Sequence, residues 1–107
     1  MKMIVAIVNH DDANAVTHNL SKKGFSSTKL SSAGGFLLAG NATLLIGVND
    51  DKVDTVIDII REHSHSRKQL IPATSEMGIN YISAMPIEVN VGGATVFVLD
   101  VDRFERL

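Results

Sequence analysis

Cysteine is absent from all 107 residues, which excludes disulfides, a thiolate metal site and a cysteine nucleophile. That absence suits a reducing compartment. Concentrated positive charge is also missing. The only basic pairs are Lys22-Lys23 and Arg67-Lys68, and the net charge is -2, which argues against electrostatic binding of DNA or RNA. No long apolar run occurs either. Met1 to Val8 is too short for a signal peptide core or a membrane span, and His10-Asp11-Asp12 follow it almost directly. The expectation is a soluble, cytoplasmic protein with no membrane insertion and no nucleic-acid partner.

Catalytic signatures are missing as well. There is no nucleophile elbow, Walker loop or dinucleotide fingerprint, and the glycine-rich stretch Gly34–Gly40 lacks the lysine of a phosphate loop. His63 and His65 could offer two metal ligands, but no third falls at recognisable spacing, and a solvated helix end accounts for them. His10 precedes a helix cap, and His18 falls on a polar helix face. The acidic pairs Asp11-Asp12 and Asp50-Asp51 sit at helix starts, where the helix dipole explains them without acid–base chemistry. The chain reads as a non-enzyme, with no catalytic residue, metal or cofactor.

What is present describes one domain over 1–107, with an ordinary globular balance of 45% hydrophobic and 21% charged residues. A chain this short often gains stability by oligomerising. Met3 to Val8 is a β-branched run expected to be a central strand. Asn9 to Asp12 supplies cap candidates for a helix whose apolar face is Ala13, Val16 and Leu20, with Gly24 as its stop. Phe25–Ser32 and Asn41–Val48 read as strands. A second helix, capped by Asp50 or Asp51, carries the stripe Val53, Val56, Ile57 and Ile60 and ends near Ser64.

Val8-Asn9-His10-Asp11-Asp12 is echoed by Val48-Asn49-Asp50-Asp51, each lying between a β-run and an amphipathic helix. Two such units, each followed by a strand, predict the α+β, ferredoxin-like βαββαβ arrangement. From Arg67 to Met85 no clean period appears. Gln69-Leu70-Ile71 could form a short strand, but Pro72 and Gly78 favour a long functional loop. Ile87–Val91 then alternates as a strand, Gly92-Gly93 reads as a hairpin turn, and Ala94–Val101 is the last long strand. Asp102–Leu107 is expected as a short terminal turn or helix.

The stretch Gly34-Gly35-Phe36-Leu37-Leu38-Ala39-Gly40 is unusual for a loop, because unpaired backbone normally keeps polar company. Its apolar tip either folds back onto the core or meets a partner: another subunit, or a flat ligand stacked on Phe36. Thr28 and Asn41 add hydrogen-bonding side chains on the flanking strands, and Gly35 and Gly47 permit close approach to backbone. That combination suits a heterocycle, for which aromatic stacking is worth about 1–3 kcal/mol per base. Each residue also has an ordinary structural explanation. Thr28 suits a strand, Asn41 a turn and Gly47 a bulge or tight packing.

Thr28-Lys29-Leu30, Gly34-Gly35-Phe36-Leu37, Gly40-Asn41-Ala42-Thr43, Ile46-Gly47 and Val91 to Leu99 (VGGATVFVL) closely resemble the PII-like cyclic di-AMP receptor family of Gram-positive bacteria. The likeness runs essentially end to end. It implies a ferredoxin-like, PII-like subunit assembled as a homotrimer, with cyclic di-AMP held between neighbouring subunits. It also implies a short T-loop between the second and third strands and a longer B-loop between the second helix and the last strand. Family members are regarded as signal receptors without catalysis, acting through a downstream protein that is poorly defined.

Carried over by position, Thr28, Gly35, Phe36, Leu37, Asn41 and Gly47 match ligand-contacting residues of one subunit. Gly92, Gly93 and Phe97 match the block lining the pocket. Ser26 stands where many members have arginine. Arg106 falls near a position where glutamine is common and could serve as a phosphate donor. The 66–85 loop is a little shorter than usual and less rich in glycine and asparagine. The leading expectation is a trimeric sensor whose B-loop responds to cyclic di-AMP. The runner-up is a PII-like regulator that docks on a target and senses another adenine nucleotide, such as ATP.

Overall fold

The computed structural model describes residues 1–30, 40–71 and 87–107. The chain runs β1 (Lys2–Asn9), α1 (His10–Lys22), β2 (Thr28–Leu30), β3 (Asn41–Val48), a 3₁₀ turn (Asp50–Lys52), α2 (Val53–Ser64), β4 (Arg67–Ile71), β5 (Ile87–Val91) and β6 (Ala94–Asp100). β1 is central, as its β-branched run requires. It lies between β3 and β6 in an antiparallel sheet of order β2-β3-β1-β6. This is the ferredoxin-like βαββαβ arrangement, with a β4–β5 hairpin inserted ahead of its last strand.

Strand alternation decides where the core sits. Ile4, Ala6 and Val8 of β1 pair with Ile46, Leu44 and Ala42 of β3, and all six are buried beneath the helices. Ala13, Val16 and Leu20 of α1 close one side of this core, and Val56, Ile59 and Ile60 of α2 the other. Each fully buried Leu, Ile or Val side chain contributes about 1.5–3 kcal/mol relative to exposure. On α2 the buried stripe includes Ile59. Ile57, expected within it, is only half-covered and lines a groove beside β6, the edge strand.

The α1 boundaries follow from its caps. Asn9 is extended, and its Oδ1 accepts the Asp11 N–H at 2.8 Å. At the other end the Phe25 N–H reaches the Leu20 carbonyl and the Gly24 N–H the Ser21 carbonyl, both at 2.9 Å. Gly24 has φ +88°, completing a Schellman stop with Phe25 packed on the core.

The entry to α2 differs from expectation. Neither Asp50 nor Asp51 caps it: Asn49 leads into the 3₁₀ turn without a side-chain bond, and the Asp50 carboxylate instead takes the Met1 ammonium at 2.8 Å.

Four further expectations change. Phe25–Ser32 is a strand only at Thr28–Leu30, because Phe25 is committed to the helix stop; Ser31 and Ser32 lie outside the described residues. The long loop begins with real strand, Arg67–Ile71, paired from Arg67↔Val91 to Ile71↔Ile87. Gly92-Gly93 is not a hairpin turn, since the strands on either side belong to different sheets. With φ of +85° and +88° it forms a corner that passes the chain from one sheet to the other. Asp102–Leu107 forms neither helix nor hydrogen-bonded turn. The tail leaves β6 with the Val101 N–H donating to the Met1 carbonyl at 3.2 Å.

Candidate functional site

Among the described residues, no helix lies over the second face of the sheet. Met3, Val5 and Ile7 of β1 and Leu45 of β3 point there, half-covered, by the same alternation that buries their neighbours. One cross-strand row on this face reads Thr28↔Leu45↔Val5↔Phe97. Three strand spacings separate its ends, so Thr28 and Phe97 stand about 14 Å apart at opposite edges. Phe97 is 52% exposed.

At the end of the sheet where β1 begins and β3 finishes, a cavity of about 670 Å³ opens. Thr28, Gly47 and Arg106 line it, so three of the sequence-predicted residues come together. Gly47 packs against the end of the Met1 side chain, and a Cβ there would approach the Met1 Cε to 3.1 Å. Asn41 does not join them. It opens β3, six residues and about 20 Å from Gly47. Gly92 and Gly93 also lie toward that opposite end, just before the Ala94 that pairs with Val8. Gly35, Phe36 and Leu37 lie outside the described residues.

The cavity also contains residues that the sequence reading did not select. Lys23 comes from the C-cap of α1, Lys52 from the 3₁₀ turn, and Phe104 from the tail. As a cation at the end of α1, Lys23 suits the helix dipole, and the Schellman turn and the strand β2 also bring it alongside Thr28.

Two ion pairs stand near this end of the sheet. A hydrogen bond from the Met1 ammonium, reinforced by its charge, holds the Asp50 carboxyl below the usual carboxylate range. A hydrogen bond with Asp100, again with charge attraction, raises Lys2.

At the opposite end, the first turn of α1 ties two connections together. The His10 N–H donates to the Gly40 carbonyl at 2.7 Å, fixing the residue that closes the glycine loop. Asp12, nearly buried, accepts from Arg67 Nη2 at 3.0 Å and Nη1 at 3.3 Å, fixing the base of the β4–β5 hairpin. Gly92 lies against that guanidinium. A Cβ there would come within 2.5 Å of Arg67 Nη1 and 2.7 Å of the His65 carbonyl.

Among the described residues no group of three His, Asp or Glu could hold a metal ion, and no helix is long and apolar enough to cross a membrane. A cavity of this size with cationic and aromatic walls has the dimensions of a small-ligand pocket. The family comparison is specific. The cyclic-di-AMP receptor family model matches residues 1–107, so the chain belongs to the cyclic-di-AMP receptor family. The solved structure of a functionally unknown protein from Pediococcus pentosaceus ATCC 25745 is 40% identical, with a TM-score of 0.75 over 99% of this chain and 96% of that one. Membership agrees with the resemblance carried by the GGF and VGGATVFVL motifs. It assigns a binding and signalling role rather than catalysis.

Proposed function

We propose that this protein is a cytoplasmic receptor that binds cyclic di-AMP between the subunits of a homotrimer and regulates a partner protein through its loops. One observation carries the reading. The uncovered, apolar sheet face bears Thr28 and Phe97 at opposite edges, too far apart to enclose one adenine from a single chain. A contact between the β6 edge of one copy and the β2 edge of the next brings the two side chains together. Repeated by rotation, such a head-to-tail contact closes into a ring. It also covers Phe97 and Leu99, which are half-exposed in the single chain.

In this reading Thr28, Gly47 and Arg106 face the ligand from one wall of the pocket. Gly35, Phe36, Leu37 and Asn41 contribute through the T-loop and its exit, and Gly92, Gly93 and Phe97 complete the enclosure. Phe36 stacks on an adenine, while backbone amides and Arg106 receive the phosphates. Gly40, which follows the T-loop, and Arg67, near the start of the B-loop (66–85), are both held at the first turn of α1. Ligand shifts the arrangement of these loops by as much as its affinity differs between the two states.

The test is isothermal titration with cyclic di-AMP, using cyclic di-GMP and ATP as controls, alongside sedimentation. Selective saturation near one cyclic di-AMP per subunit in a trimer is expected. A trimer that ignores cyclic di-AMP but takes ATP would establish the regulator reading instead.

A further inference from the structure

Three cationic residues line the cavity, and among the described residues no carboxylate side chain does. Lys23, Lys52 and Arg106 come from three separate elements: the helix stop, the 3₁₀ turn and the tail. None of them belongs to the ion pairs among the described residues, whose cations are Met1, Lys2, Arg61, Arg67 and Arg103. The chain as a whole is negative, at -2, so this positive cluster is a local feature and not a reflection of overall charge. Unpaired like charges around one concavity repel one another and focus a positive potential into it. The helix dipole accounts for a cation at the α1 terminus, but Lys22 in the last turn already meets that need, and it does not line the cavity.

We infer that Lys23 and Lys52, acting with Arg106, form the phosphate-binding wall of this cavity, so that the two lysines set its affinity for a dianionic nucleotide. The inference rests on the ligand reading above for the identity of the nucleotide, but not for the existence of an anion site. The remaining lining fits the same ligand. The Ser26 and Thr28 hydroxyls can donate to phosphate oxygens, and Phe25 and Phe104 offer apolar surface to a base or sugar. Two phosphodiesters bring two negative charges, which lysine ammonium groups meet as point charges without demanding a fixed geometry.

The experiment is calorimetric titration of the full chain and of Lys23→Ala/Lys52→Ala with cyclic di-AMP, and in parallel with inorganic tripolyphosphate. Lys22→Ala, which removes one charge outside the cavity, is the control. The double variant should bind cyclic di-AMP at least about ten-fold more weakly. Lys22→Ala should match the wild type, and the difference should shrink in high salt. Equal affinity of the double variant and the wild type for cyclic di-AMP would overturn the lysine wall and leave the receptor reading intact. A wild type that takes tripolyphosphate but not cyclic di-AMP, with binding lost in the double variant, would uphold the anion site and overturn the receptor reading. Binding of neither probe would overturn both. Thermal melting of the variants identifies any loss that reflects misfolding. In that event Lys23→Gln and Lys52→Gln singly, which keep chain length without charge, must reproduce the weakening or the assignment fails.

Discussion

The two faces of the central sheet have nearly the same apolar character and very different surroundings. On the helix side of β1 and β3, Ile4, Ala6, Val8, Ala42, Leu44, Ile46 and Val48 range from 0% to 6% exposed, while Val98 on the edge strand β6 reaches 41%. On the other side, Met3, Val5, Ile7 and Leu45 are half-covered, and Phe97 and Leu99 reach 52% and 50%. A strand's hydrophobicity therefore records how much cover it needs, not which chain supplies it. Two helices are enough for one face only. The second face has the composition of an interior and the exposure of a surface, the combination that marks an interaction site.

Substitutions on matched positions would sharpen or break that contrast. Leu44→Ala, on the helix side, should cost about 2–5 kcal/mol of stability at any protein concentration, read by urea denaturation. A loss well under 1 kcal/mol would mean the helix-side core is not the chief source of stability. Val5→Glu, on the open side, should leave a folded chain and, if the proposed trimer forms through this face, remove the concentration dependence of its melting temperature and shift sedimentation to the monomer. If the variant remains a trimer, the open face is not the interface.

Smaller effects are expected at the cavity. Gly47→Ala should change stability by no more than about 0.5 kcal/mol, because among the described residues it crowds just the end of the flexible Met1 side chain. It should nevertheless weaken cyclic di-AMP binding in titration, and unchanged affinity would remove Gly47 from the pocket. The smallest effect concerns Asp50. Its carboxyl is held below the ordinary range near 3.9, so its contribution is present above that pH and is lost as pH falls through the lowered value. The melting temperatures of wild type and Asp50→Asn should therefore differ slightly at pH 6, begin to approach one another below about pH 4, and converge once the pH has fallen past the lowered value. A gap that persists into acid would show that Asp50 acts through something other than its charge.

The elements most legible in the sequence are those whose signals are local. β3 begins and ends at Asn41 and Val48 as its alternation indicates, and α1 begins after an Asn9 cap and stops at Gly24. α2 ends at Ser64, but its entry departs from the local pattern because Asp50 is claimed by the chain's own amino terminus, a contact that pattern does not reveal. The Gly92-Gly93 corner has the same composition as a hairpin turn, and only the pairing of β4 with β5 and of β6 with β1 separates the two. Thr28, Gly47 and Arg106 were selected from the sequence, and the structure gathers them. Lys23 and Lys52 were not, because the cavity forms where four distant parts of the chain meet.

The Gly93 N–H donates to the Ser64 carbonyl, closing the neck from which the β4–β5 hairpin springs. The end of α2 and the start of β6 are thus already joined beneath it, and the ferredoxin-like body is complete without the residues between. For such an appendage, lengthening costs little, since closure entropy grows only slowly with loop length. Mutation can reshape this segment while the body beneath it keeps its fold. Were the proposed partner to read this hairpin, the part of the molecule that chooses a target could diverge faster than the part that holds the ligand, and one messenger could be wired to different targets by editing a single hairpin.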